Sequence, residues 1–154
     1  MIDSIPLHSP IVKQATIAAP RALVWHAVTD QQELATWFGR DARVELRVGG
    51  PYEILFLMDN PPGLQGGEGN TVLSFEPEQF LEFSWNAPPD FGRLRDIRTR
   101  ARIELEEAES SAGTAVTLTH DKWGPEPEWA AVRTYFDRAW DHVISDLNSH
   151  FSLS

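Results

Sequence analysis

The sequence predicts an α+β fold in which a curved antiparallel sheet of about seven strands wraps around one long C-terminal helix, with two short helices after the first strand. Three observations predict it. Trp129, Val132, Phe136, Ala139, Trp140, Val143, Ile144, Leu147 and Phe151 follow the three-and-four spacing of one helix face. The middle of the chain alternates apolar and polar residues with period two, as half-buried strands do. Two short stretches with helical apolar faces follow the first strand. The long helix spans on the order of 39 Å at 1.5 Å per residue. Its apolar face carries two Trp and two Phe, so it needs a broad partner, and a bent sheet supplies one.

The elements follow in order. Ser9 to Ala18 reads as an extended segment. Pro20 opens a helix at its first turn, with Leu23, Val24, Ala27 and Val28 on its apolar side. Asp30-Gln31-Gln32-Glu33 resembles a capping box and starts a second helix bearing Leu34, Trp37 and Phe38, ended by Gly39. Ala42, Val44, Leu46 and Val48 alternate with Arg43, Glu45 and Arg47, and Gly49-Gly50 turns the chain. Tyr52, Ile54, Phe56 and Met58 alternate with Glu53, Leu55 and Leu57, as in a strand partly covered on both sides. Asp59 to Asn70, rich in Pro and Gly, reads as a mobile loop.

Thr71–Phe75 and Phe80–Trp85 are strands, and Asn86–Arg95 is a second loop. Ile97, Thr99, Ala101, Ile103 and Leu105 alternate with Arg98, Arg100, Arg102, Glu104 and Glu106, the cleanest strand pattern in the chain. A turn at Ser110-Ser111-Ala112-Gly113 leads to Thr114–His120, where Val116, Leu118 and His120 share a face. Glu126 and Pro127 open the final helix, with acid at the positive end of its dipole.

A length of 154 residues fits one domain, with its core at about 11–151, large enough to bury its own interior. The absence of Cys removes disulfides, thiolate zinc sites and a Cys nucleophile. Thirteen Lys and Arg against 23 Asp and Glu give a net charge of -10. That argues against nucleic acid and against anionic membrane surfaces, both of which require clustered cations. Met1–Pro10 lacks a basic run followed by an apolar core, so no signal peptide is expected. Ile54 to Met58, the longest apolar run, is too short for membrane insertion. A cytoplasmic location is expected.

Ala19-Pro20-Arg21-Ala22-Leu23-Val24-Trp25-His26-Ala27-Val28-Thr29-Asp30, followed by Leu34-Ala35-Thr36-Trp37-Phe38, resembles the opening signature of the START-like helix-grip (SRPBCC) superfamily. More narrowly it resembles the branch homologous to the activator of the heat-shock protein 90 ATPase. Val48-Gly49-Gly50, Leu81 to Trp85, Thr117 to His120, and Ala139-Trp140 through Leu147 match later landmarks in order. Ala139 stands where the family commonly has Gly, and Trp123-Gly124-Pro125-Glu126-Pro127 replaces its glycine-rich approach to the last helix. The resemblance implies a deep cavity between sheet and helix, a small hydrophobic molecule or lipid as ligand, a chaperone as a further partner, and a link to stress response.

Candidate site residues follow. Trp37, Phe38, Phe56, Trp85, Phe136 and Trp140 suit an aromatic-walled pocket for flat apolar ligands, or else a solid core. His120, at the end of an inward register, could bond a ligand or act as a base, or simply satisfy a strand end. Arg98, Arg100 and Arg102 read as a solvated outer face paired with acids, rather than an anion site. Glu53 is a candidate for the cavity mouth. His142, Asp146 and His150 share a helix stripe, but the outer two are about 12 Å apart along the axis. One metal ion does not bridge them, and no metal or cofactor is expected. No GxSxG is present, and Gly66-Gly67-Glu68-Gly69 lacks the Lys of a phosphate loop and reads as a flexible lid.

Three functions compete on these grounds. The first is a non-catalytic protein binding a small hydrophobic or amphipathic molecule. The second is a partner module of the chaperone ATPase-activator kind. The third is a cyclase- or dehydratase-like enzyme acting on an aromatic or polyketide-type substrate through His120. Free sheet edges and Pro-rich loops leave homodimerisation open.

Overall fold

β1 (Ile11–Ile17) leads into α1 (Arg21–Thr29) and α2 (Gln31–Trp37), and then β2 (Asp41–Val44) and β3 (Tyr52–Leu55) form a ribbon. β4 (Val72–Glu76) and β5 (Phe80–Trp85) precede a kinked 3-10 helix (Pro89–Asp96), β6 (Thr99–Glu107), β7 (Thr114–Asp121) and α3 (Trp129–Ser152). The computed structural model describes residues 8–109 and 113–152. The turn expected over Ser110 to Ala112 lies outside them, as does most of the Met1–Pro10 stretch.

Five antiparallel strands run in the order β1-β7-β6-β5-β4, and β2 pairs with β3. The ribbon continues the wall past β4. Pro51 bridges Thr71, and Gly49 and Gly50 exchange backbone bonds with Val72. Period-two patterning places Ala101, Ile103 and Leu105 of β6 inward beside Val116, Leu118 and His120 of β7. Their outward neighbours pair as expected: Arg100 holds Asp121 through two bonds of 2.9 and 2.6 Å, and Arg102 reaches Glu82 at 2.7 Å. Arg98 departs from that face and bonds the Glu68 carbonyl and the Asn70 side chain.

α3 lies across this wall and buries Trp129, Val132, Phe136, Trp140 and Leu147. Each contributes about 1.5–3 kcal/mol of gross burial. Lys13 on β1 reaches Asp137 and Asp141, one helical turn apart, at 2.9 and 3.0 Å. Asp30 ends α1 and caps α2, its carboxylate accepting the Glu33 N–H at 3.0 Å. Half of the expected capping box therefore forms. The Glu33 side chain bonds His150 instead.

Several expectations need correction. β2 stops at Val44, and Leu46 and Val48 face solvent. The chain leaves the ribbon to turn at Gly50, where a Cβ would lie 2.3 Å from the Glu45 carbonyl. β3 stops at Leu55, because the Phe56 and Leu57 amides both turn to the Gln65 carbonyl. Phe56, Leu57 and Met58 are accordingly exposed rather than part of a strand covered on both sides. Ile97 is exposed as well, at the junction before β6. The loop expected over Asn86–Arg95 contains the 3-10 helix, started by Pro89 and kinked at Gly92. The last helix begins at Trp129, after a turn that its own N–H closes on the Glu126 carbonyl.

Candidate functional site

A cleft of about 790 Å³ opens between α3 and the end of β5. Its floor is aromatic. Phe38 follows α2 and meets Phe56, Trp85 and Trp140 at centroid distances of 5.9, 5.8 and 6.2 Å. Trp85 meets Trp140 at 5.7 Å, and Phe136 stacks on Trp140 at 6.3 Å. Phe136 and Trp140 come from α3, Trp85 from β5, and Phe38 and Phe56 from the ends of α2 and β3, and the wrap of the sheet on α3 brings them together.

The end wall is polar and tied down. Asn86 follows Trp85 directly and lines the cleft with Gly66 and Gly67. Its amide accepts from Asn70 at 2.8 Å and donates to the Gly66 carbonyl at 3.0 Å. Behind it, the Glu68 carboxylate gathers the N–H groups of Gly63, Gln65 and Gly66. Buried Arg95 adds a 3.2 Å contact to Glu68 and bonds the Ala87 and Gly63 carbonyls. Burial alone would raise the Glu68 pKa, but the backbone donors outweigh it and hold it below the usual carboxylate value. The loop from Asp59 to Asn70, expected to be mobile with Gly66-Gly67-Glu68-Gly69 as a lid, is therefore a hydrogen-bonded wall.

The third side is the outer stripe of α3. Thr134, Arg138, His142 and Asp146 succeed one another at four-residue spacing along the rim, with Tyr135, Ala139 and Val143 beside them. Exposed rim residues leave the cleft open to solvent.

Phe38, Phe56, Trp85, Phe136 and Trp140 line this cleft, whereas Trp37 and His120 do not. Trp37 turns its indole N–H to the Ala27 carbonyl at 2.8 Å. His120 sits behind the floor, fully buried and caged by Trp123, Phe136 and Trp140. Its Nδ1 accepts the Trp140 N–H at 2.8 Å, and since indole only donates, the imidazole proton resides on Nε2. Nε2 then donates to Thr99 Oγ1 at 2.7 Å, which donates to the Trp85 carbonyl. Burial lowers the His120 pKa to about 3. Both ring nitrogens are occupied and the ring is neutral, so it has neither access nor free valence for a ligand.

Glu53 is not at the mouth either. It pairs with Arg43 at 3.2 Å and accepts the Gly69 N–H. Among the described residues no group of three or more His, Cys, Asp or Glu is placed to hold a metal, and His150 is engaged by Glu33.

Sequence reasoning passed over Asn86, Tyr135 and Arg138 and placed His142 and Asp146 on a solvated stripe. For Glu68 a signal existed: a single carboxylate inside a glycine-rich run, whose bare amides want an acceptor.

A bent antiparallel wall gripping one long helix, with a helix pair after the first strand and a cleft at the grip, defines a START-like helix-grip protein. The chain belongs to the Activator of Hsp90 ATPase homolog 1-like protein family, whose model matches residues 18–152. Solved structures share the fold. Protein MLL2253 from Mesorhizobium loti has 18% identity and a TM-score of 0.75, covering 95% of this chain and 98% of that one. The Aha1 dimer from Colwellia psychrerythraea has 19% identity and a TM-score of 0.68, with 93% and 96% covered. CalU16 from Micromonospora echinospora has 22% identity and a TM-score of 0.65, with 93% and 76% covered. No curated protein matches the sequence. Among the described residues no helix is long and apolar enough to cross a membrane.

Proposed function

We propose that the chain is a cytoplasmic, cofactor-free binding protein that holds a small hydrophobic or amphipathic molecule in the cleft beside α3. One observation carries this reading: a cleft of about 790 Å³ remains above five aromatic rings, of which Phe38, Trp85, Phe136 and Trp140 are seated in the core and Phe56 stands exposed at its edge. Such a floor takes flat apolar surface, and the few polar groups at the edge fix orientation. The catalytic alternative loses its acid/base, because His120 is buried, neutral and fully bonded. Nile red, a neutral apolar dye, tests the reading. Saturable one-to-one binding that competes with an added lipid is expected, and unsaturable or absent binding would overturn it.

A second reading rests on the family itself and on the dimeric Colwellia neighbour. In it the chain contacts a chaperone ATPase, or a second copy, through its surface. An increase in the turnover of an added heat-shock protein 90 ATPase supports this reading, and unchanged turnover at saturating protein opposes it.

A further inference from the structure

We infer that the ligand of this cleft is a carboxylate-bearing amphipath whose head docks on Arg138; this rests on the cleft being a binding site. The argument begins with charge accounting. The chain carries 13 Lys and Arg in an acidic total, and nearly all of these cations are already engaged. Lys13, Arg21, Arg43, Arg47, Arg93, Arg95, Arg100 and Arg102 have carboxylate partners. Arg98 and Arg133 bond carbonyl oxygens. Among the described residues, the side chains of Arg40, Lys122 and Arg138 are left without a hydrogen bond or ion pair. Of those three, Arg138 lines the cleft.

Its helix neighbours Asp137 and Asp141 are both held by Lys13, at 2.9 and 3.0 Å, and Asp137 also feels the Arg138 charge without bonding it. Asp146, on the same rim stripe, lies about 12 Å further along the axis at 1.5 Å per residue. His142 stands between them on the rim. The rim is therefore polarised, cationic at Arg138 and anionic at Asp146. An apolar body on the aromatic floor meets a free guanidinium at one end and a repelling carboxylate at the other. A planar guanidinium matches a carboxylate through two parallel hydrogen bonds. One free cation with Asp146 on the same rim suits a single negative charge.

The global field works against any anion, since the net charge is -10. A preference for an acid over its neutral ester can therefore come only from a local group. The test uses 1-pyrenebutanoic acid and its methyl ester, read by quenching of Trp emission, because Trp85 and Trp140 form part of the floor. The acid is expected to bind about three- to tenfold tighter than the ester at low salt, the scale of one partly wet charge-assisted bond. Added salt is expected to shrink that ratio. Arg138→Gln is expected to bring it to unity by weakening the acid more than the ester, with far-UV circular dichroism confirming the fold of this exposed-site variant. Equal affinities in the parent protein, or equal weakening of both probes in Arg138→Gln, would overturn the charge assignment and leave the cleft as an apolar site. Binding of neither probe would overturn the cleft reading and this inference together.

Discussion

The indole N–H of Trp140, on the helix, ends on Nδ1 of His120, on the sheet, across 2.8 Å. This bond ties the two layers at their centre and fixes the imidazole tautomer. The chain of donors runs from Trp140 through His120 and Thr99 to the Trp85 carbonyl. Each buried polar atom in it has one partner that suits it. Trp140→Phe keeps a ring in the floor but leaves a buried lone pair on His120. Moving the proton to Nδ1 does not repair this, because Thr99 would then have to donate to Nε2 and release Trp85. The variant is expected to lose about 1–3 kcal/mol for the unpaired acceptor alone, measured by urea unfolding.

His120 also sets an acid limit on stability. Its folded pKa is held near 3 by burial, well below the ordinary histidine value of 6.5. Between those values the unfolded chain binds a proton that the folded chain refuses. Stability is therefore fully present above pH 6.5 and falls as pH drops toward 3, by at most about 1.4 kcal/mol per pH unit from this group. Unfolding titrations from pH 7 to 4 should give a shallower pH slope for His120→Gln, although that variant starts less stable. Parallel slopes would remove His120 from the account.

Sequence patterning carried far where one physical period dominates. β6 and β7 alternate because one face meets α3 and the other meets water. α3 follows its apolar stripe from Trp129 to Phe151. The pattern misled where apolar residues serve no core. Leu46 and Val48 continue the alternation of Ala42 and Val44, yet the strand has already ended in a glycine turn. Of the seven expected ligand contacts, the five floor aromatics share the cleft: Phe38, Trp85, Phe136 and Trp140 as inward rings at the grip, and Phe56 as an exposed ring at its edge. His120 failed because period two gives the inward face but not the depth. The rim failed for the opposite reason: Arg138 and Asp146 look solvated in a helical projection, and only the missing wall opposite makes them line a cleft.

Glu68 organises the Asp59–Asn70 wall from its middle. Glu68→Gln keeps one acceptor oxygen but turns an amide NH2 toward backbone N–H groups and Arg95. Donors then face donors. The amides of Gly63, Gln65 and Gly66 are expected to exchange with solvent much faster, while those of β6 and β7 stay protected. A change of about 1–3 kcal/mol in local opening energy is expected. Uniform exchange across the whole chain would instead mean that Glu68 supports global stability only.

Gly124 precedes α3 with its Cα against the Trp129 indole. A Cβ there would lie 2.1 Å from Nε1 of Trp129, which is fully buried and has no room to withdraw. Gly124→Ala is expected to shift the start of α3 and cost about 1–3 kcal/mol through overpacking. Thermal unfolding measures the loss. An unchanged Tm would show that the Trp123–Glu128 approach adapts freely.

Ala139 offers a way to separate binding from folding. It lies on the α3 side of the cleft, partly exposed, between Phe136 and Val143 on the lining face. Ala139→Trp projects an indole into open space rather than into packed core, so the fold has little reason to resist it. The new ring lies over the cleft, where the wet apolar surface it can cover belongs to the exposed Phe56 and Tyr135. Stability is expected to stay level or rise by up to about 1 kcal/mol. Nile red affinity is expected to fall at least about tenfold, a loss of 1.4 kcal/mol or more. A variant that folds normally and still binds the dye with parent affinity would locate the dye elsewhere on the molecule.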